Sequence, residues 1–142
     1  MAQQTHAPLH RNRIMDLGTD ASLQLSDQHT GTIILCGGAT CTVQLPTPAS
    51  LVAGWWCRFI INDETAAVTI MAMAADTIKG HICTGADNSN QQLQPTSSAL
   101  SDIVSFTTSV VFGDWVELIC DGSTYYISGR SRVANAITVT SP

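Results

Sequence analysis

The chain has 142 residues, of which 44% are hydrophobic and only 12% charged, with a formal net charge of −5 and a pI near 5.0. That length predicts one domain that can bury a core of its own. The low charged content is typical of a sheet protein and not of a helical bundle rich in Glu and Lys. The negative charge argues against non-specific nucleic-acid binding, so we expect no nucleic-acid partner.

Residues 1–22 are polar and show no hydrophobic periodicity. We interpret them as a flexible N-terminal arm that precedes a β-sandwich domain spanning residues 23–142. The arm has no apolar stretch of the kind found in signal peptides, and no later window is long enough for a membrane span. We therefore expect synthesis in the cytoplasm and no membrane partner.

Strand signals begin near residue 23 and recur along the chain. Runs of β-branched, alternating or continuous apolar residues occupy 32–36, 41–46, 55–61, 66–74, 76–85, 102–112 and 115–128, and a last one is possible at 136–140. Residues 88–101 form a polar stretch without periodicity, which predicts a loop. About eight strands with turn-rich connections and no helix predict an all-β fold, an antiparallel β-sandwich or jelly-roll-like domain. No internal repeat recurs at a fixed period.

The segment "GDWVELICDGSTYYISG", residues 113–129, predicts a β-hairpin. A two-residue turn at Asp121–Gly122 or at Gly122–Ser123 gives the same parity of pairing. Five apolar residues then share a core face: Val116, Leu118, Cys120, Tyr125 and Ile127. The opposite face carries Trp115, Glu117, Ile119, Tyr126 and Ser128. Such a mixture suits a subunit interface, with Trp115, Ile119 and Tyr126 as candidate contacts. The alternative is that a second layer of the fold or a loop covers this face of the hairpin.

No motif of the sequence predicts a catalytic, metal-binding or cofactor-binding site. The five cysteines lack a Cys-x-x-Cys pair and are expected to be free thiols. A zinc site can be drawn from Cys36, Cys41, His81 and Cys83, but these spacings are not those of compact zinc modules. The acidic corners at Asp63–Glu64 and Asp87–Asn88 are interpreted as solvated turns and not as calcium sites. No nucleophile elbow or phosphate loop is present. We therefore expect no enzyme, no metal and no cofactor.

An ordered set of short motifs lies between residues 23 and 130. The first motif consists of Leu25-Ser26 and of Gly31, five residues after the serine, and it precedes a strand. The next strand ends in Leu45-Pro46. The strand "GWWCRFI" and the motif "DTIKG" follow, and the hairpin at residues 113–129 closes the set. This order of motifs resembles a pattern common in small virion proteins of tailed bacteriophages, which include capsid decoration (cement) proteins.

The resemblance implies a jelly-roll-like or β-sandwich subunit that forms a homotrimer and binds the major capsid protein on the outside of the phage head. The expected location is therefore the capsid surface of the virion. By the same analogy, the Trp55–Trp56 strand and the hairpin would supply core and trimer contacts. The arm would order against neighbouring capsid subunits, and its candidate contacts are His6, Leu9, His10, Arg11, Arg13 and Ile14.

Two alternatives stay open at this point. The same module resembles domains of tail fibres and other virion appendages, which would bind a receptor on the host surface through exposed aromatic residues. A cellular β-sandwich that binds a sugar or a protein is the second alternative. It predicts a monomer with a pocket near Trp55, Trp56 or Tyr125.

Overall fold

The computed structural model of the chain describes residues 13–38, 40–63, 67–73, 77–85, 91–96 and 102–140. These residues form two short 3₁₀ turns, at Asp27–His29 and Pro48–Ser50, and no α-helix. The strands are β1 (Arg13–Asp16), β2 (Ser22–Gln24), β3 (Thr32–Cys36), β4 (Cys41–Gln44), β5 (Trp55–Ile61), β6 (Val68–Met71), β7 (Ile78–Gly85), β8 (Gln91–Thr96), β9 (Ile103–Phe106), β10 (Trp115–Cys120), β11 (Tyr125–Ser131) and β12 (Ile137–Thr140).

The strands form two sheets. The larger has seven strands in the order β1-β3-β5-β10-β11-β7-β8, and the smaller has five in the order β12-β9-β6-β4-β2. The inward positions of both sheets belong to one hydrophobic core. This architecture confirms the predicted all-β class and is compatible with a β-sandwich.

The first six strands alternate between the two sheets and pair in parallel within each. Thr32 of β3 lies beside both Arg13 of β1 and Cys57 of β5. In the smaller sheet, β4 pairs in parallel with β2 and with β6. The chain therefore winds through three successive turns, each of which adds one strand to each sheet. Because the connections differ in length, the winding leaves no fixed period in the sequence.

The remaining strands add mostly antiparallel pairs. β10 lies between β5 and β11, antiparallel to both, and β9 lies between β6 and β12 in the same way. β7 pairs in parallel with β11 and antiparallel with β8. Both sheets are therefore mixed, with the expected antiparallel pairs beside parallel ones. Hydrophobic alternation places a residue on a face but does not distinguish parallel from antiparallel neighbours.

The core joins the two sheets around several fully buried aromatic side chains. Phe59, Phe106 and Tyr125 are each at most 2% exposed. The ring of Tyr125 meets Trp55 edge-on at a centroid distance of 6.1 Å, and its hydroxyl donates a hydrogen bond of 2.5 Å to the Pro46 carbonyl. Since a buried hydroxyl needs a partner, this bond ties the loop after β4 to the start of β11.

Two segments differ from the sequence-based expectations. Residues 13–16 were assigned to the arm, but they form edge strand β1, and Leu17 beside them is 3% exposed within the core. The folded domain therefore includes residues well before the predicted start at residue 23. Residues 91–96, predicted as loop, form edge strand β8. Among the described strands, both segments lie at the edge of a sheet with a partner on one side, where hydrophobic patterning is weakest.

The five cysteines are free, as expected, and four of them are buried: Cys36, Cys41, Cys57 and Cys120. Burial raises the pKa of Cys36 to about 12, with a smaller contribution from Cys41, and raises the pKa of Cys57 well above its usual range. Here the thiols act as small core side chains. Cys83 is partly exposed.

Candidate functional site

The hairpin of β10 and β11 has the predicted parity. Cys120 pairs with Tyr125, and the Asp121 amide donates to the Thr124 carbonyl at 3.2 Å, which corresponds to the turn at Gly122–Ser123. Gly122 has φ +95°, a left-handed conformation that favours glycine. The predicted core face is confirmed, since Val116, Leu118, Cys120, Tyr125 and Ile127 are at most 3% exposed.

The other side of the hairpin belongs to the outer face of the larger sheet. Ile119 lies between Trp56 of β5 and Tyr126 of β11. Ile119 and Tyr126 are 43% and 46% exposed, whereas Trp115 is half-buried. In the described part of the chain, no second layer covers these candidate interface residues.

The apolar surface continues across the sheet toward β1. Ile33 and Leu35 of β3 point outward and are half-buried, as is Ile60 of β5. Ile14 of β1 lies beside Ile33 and is 69% exposed. We call this surface the outer apolar face, defined by Ile14, Ile33, Leu35, Trp56, Ile60, Trp115, Ile119 and Tyr126. Ile33, Leu35 and Ile60 were not singled out from the sequence, because their outward direction follows only from the pairing of β3 with β5.

One ion pair lies within the outer apolar face. Arg58 donates from Nη2 and Nε to the same Glu117 oxygen, Oε2, at 2.7 and 3.1 Å. The guanidinium also lies 4.8 Å from the centroid of the Trp115 ring. Arg58 thus joins Glu117 and Trp115 by charge pairing and a cation–π contact. The pair neutralises the charge inside an otherwise apolar surface.

The opposite surface of the protein is different in character. The outward positions of the smaller sheet form a row of hydroxyl side chains across all five strands, in the order Ser22, Thr42, Thr69, Ser105 and Thr138. No outward position of its strands is charged. The two outer faces therefore differ sharply: one is neutral and hydroxylated, and the other is apolar and aromatic with an ion pair.

The turn beside Ile119 carries a small hydrogen-bond network. Asp121 accepts hydrogen bonds from the Thr124 and Ser123 amides, which lower the pKa of its carboxyl group. The Tyr126 hydroxyl donates to the other oxygen of Asp121 at 3.1 Å, and this bond raises the pKa of Tyr126. The network fixes the direction of the Tyr126 ring at the rim of the outer apolar face.

Several motif residues serve the fold. Buried Asp114, from the "GDW" motif, accepts hydrogen bonds from the amides of Val111 and Arg132 and from the Ser131 hydroxyl. Ser26, from the "LS" start, pairs with His29 across a 3₁₀ turn. Gly80, from "DTIKG", lets β7 approach β11, since a Cβ there would overlap the Ile127 carbonyl oxygen. The pattern therefore indicates a fold more strongly than a role.

The predicted arm contacts divide into two groups. His6, Leu9, His10 and Arg11 lie outside the described residues. Arg13 and Ile14 belong to β1, with Ile14 on the outer apolar face and Arg13 on the opposite side of the strand. Capsid contact by these residues stays a prediction.

The zinc set drawn from the sequence is not brought together. Cys36 and Cys41 are buried in the core, whereas His81 is exposed on the outer side of β7. Within the described ranges, no group of three or more His, Cys, Asp or Glu side chains has a metal-binding arrangement.

Among the described residues, no helix has the length and apolar character needed to span a membrane. No family model, no curated protein and no solved structure matches this chain.

Proposed function

We propose that the protein is a structural component of a bacteriophage virion, a decoration protein that binds the outside of the head as a homotrimer and stabilises it. The observation that carries the proposal is the outer apolar face, which the described residues leave open to solvent. Contiguous apolar patches on one side of a small domain are typical of protein–protein interfaces. The resemblance of the sequence motifs to those of phage virion proteins suggests which assembly the interface belongs to, a phage head.

In this proposal the outer apolar face is the trimer interface. Ile119 and Tyr126 lie near the turn end of the hairpin, and Trp115 lies at its other end beside Ile60. Aromatic and aliphatic side chains around one arginine are the composition enriched in the centres of interfaces. A trimer matches a site of local threefold symmetry on a shell, where three weak contacts act together.

Stabilisation would follow from mass action. A protein that binds the assembled shell and not its separated subunits shifts the equilibrium toward the shell. This role needs no catalytic group, so the proposal includes no enzymatic activity, metal or cofactor. The partner is the major capsid protein, and the location is the capsid surface.

Sedimentation equilibrium of the purified chain tests the trimer. We expect the wild-type protein to behave as a trimer and Ile119→Arg to shift it toward the monomer, because a charge would be buried without a partner. Thr42→Arg is the matched control, since it adds the same charge to an exposed strand position on the opposite sheet. A wild-type monomer at all soluble concentrations would contradict the trimer.

One observation favours a second candidate, the cellular binding module. A cleft of about 230 Å³ beside Trp55 is lined by Asp27, Thr30, Val52, Ala53, Gly54 and Trp55. Trp55 itself is only 3% exposed and offers little ring surface for stacking. A screen of soluble glycans against the monomeric Ile119→Arg variant tests this candidate, and binding that Val52→Trp abolishes would support it.

A further inference from the structure

We infer that a second cleft, at the margin of the outer apolar face, binds an acidic peptide segment of a partner protein. The cleft has a volume of about 240 Å³ and is lined by His81, Cys83, Trp115, Ser128, Gly129 and Arg130. It lies where β7, β11 and β10 are adjacent in the larger sheet. This inference does not depend on a virion role.

The strand register of β10, β11 and β7 explains why a cleft forms here. Ser128 points outward between Glu117 of β10 and His81 of β7, and its short side chain forms the floor. In the next row, Arg130 lies between Trp115 and Cys83. Larger side chains on three sides therefore surround one small residue, leaving space for a side chain of another molecule.

The charge of the rim selects an acidic ligand. Lys79, His81 and Arg130 are exposed on this side of the sheet. Among the described residues, none of the three forms an ion pair, whereas nearby Arg58 is already paired with Glu117. The rim is therefore locally basic on a chain of net charge −5. A carboxylate can accept two charge-assisted hydrogen bonds from the exposed guanidinium of Arg130.

A peptide fits this site better than a nucleic acid. The Trp115 ring forms an apolar wall that could pack against the methylene groups of a glutamate side chain. The cleft is small and has few basic side chains around it, whereas a nucleic acid presents phosphates along an extended backbone and is bound by a larger basic surface. We therefore assign the cleft to one or two carboxylate side chains presented by an acidic peptide.

The probe for the test is a ten-residue oligoglutamate peptide, with oligoglutamine as the uncharged control. Binding is measured by calorimetry at low ionic strength, with the protein in its own oligomeric state. We expect Arg130→Gln to weaken binding about ten-fold or more. Arg13→Gln removes the same charge from the far edge of the sheet, on the other side of β1, and should change the affinity less than about two-fold.

A second variant distinguishes binding in the cleft from non-specific electrostatic attraction of the peptide. Ser128→Phe fills the floor without altering any charge, and it should also reduce binding about ten-fold or more. Equal effects of Arg13→Gln and Arg130→Gln would overturn the inference, as would unchanged binding by Ser128→Phe. The same holds if the wild-type protein binds no oligoglutamate, or binds duplex DNA as tightly. Because Arg130 is exposed, its substitution tests the site even if Ser128→Phe is not folded.

Discussion

Arg58 and Glu117 are direct cross-strand neighbours on β5 and β10, and two nitrogens of the arginine donate to one carboxylate oxygen at 2.7 and 3.1 Å. Their side chains are 40% and 20% exposed. An ion pair with this much exposure contributes little to the stability of one chain. Within an apolar face, however, the ion pair would restrict which partner surface can dock. A partner without matching polar groups would remove water from these two charges and offer nothing in its place.

We predict a modest coupling between these two residues. A double-mutant cycle with Arg58→Ala and Glu117→Ala should give a coupling free energy of about 0.5–1 kcal/mol for the unassociated chain. Urea unfolding of the four proteins, at dilutions at which the chain does not associate, measures it. A coupling indistinguishable from zero would show that the pair does not hold together in solution.

The two adjacent tyrosines should respond differently to loss of their hydroxyl groups. Tyr125→Phe leaves the Pro46 carbonyl without its buried donor and should lower the free energy of unfolding by about 1–2 kcal/mol. Tyr126→Phe is the matched control, since its hydroxyl is exposed and bonds to a solvated turn. Its effect should stay within about 0.5 kcal/mol. Thermal unfolding of both variants provides the comparison, and equal effects would contradict the account of the core.

One thiol should react far faster than the other four in the native protein. Thiolate is the reactive form, and burial raises the pKa values of Cys36, Cys41 and Cys57. Cys83 is partly exposed and should react first with a disulfide reagent at about pH 8. Replacement by serine, Cys83→Ser, should remove the fast phase. A fast phase of more than one thiol would mean that the core opens readily.

Two truncations should separate the fold from the segment before it. Removal of residues 1–18 deletes β1 and Leu17, which is 3% exposed in the core. Burial of a leucine side chain alone contributes about 1.5–3 kcal/mol. We therefore expect the chain lacking residues 1–18 to be less stable than the chain lacking residues 1–12 by at least about 2 kcal/mol in urea unfolding. Equal stabilities would show that β1 adds nothing to the domain. Only the shorter deletion is suited to testing capsid contact by His6, Leu9, His10 and Arg11.

Much of the fold could be predicted from residue patterns. The strand Trp55–Ile61 begins and ends where the sequence indicated, because apolar residues continue through a strand whose outward positions are also half-buried. The hairpin faces were also correct, since a turn containing Gly122 fixes the parity of pairing across β10 and β11. Local sequence features were therefore enough to predict the bounds of this strand and the faces of the hairpin.

The parts that were missed depend on long-range pairing. Nothing local in Thr32–Cys36 shows that its neighbours are the parallel strands β1 and β5. The outer apolar face was accordingly predicted only for the hairpin, because Ile14, Ile33 and Leu35 join it through that pairing. The basic cleft was missed for the same reason: His81 and Arg130 are far apart in sequence and meet only through the pairing of β7 with β11.

The most direct test of the proposed function is the copy number of this chain in purified phage particles, in which the proposal places it. Quantitative mass spectrometry against the major capsid protein gives that number. A decoration protein should be present at the same order of copies as the capsid protein, because it occupies repeated symmetric sites on the shell. A few copies per particle would place it in a tail or appendage and contradict the capsid role. Absence from the particle would contradict any virion role.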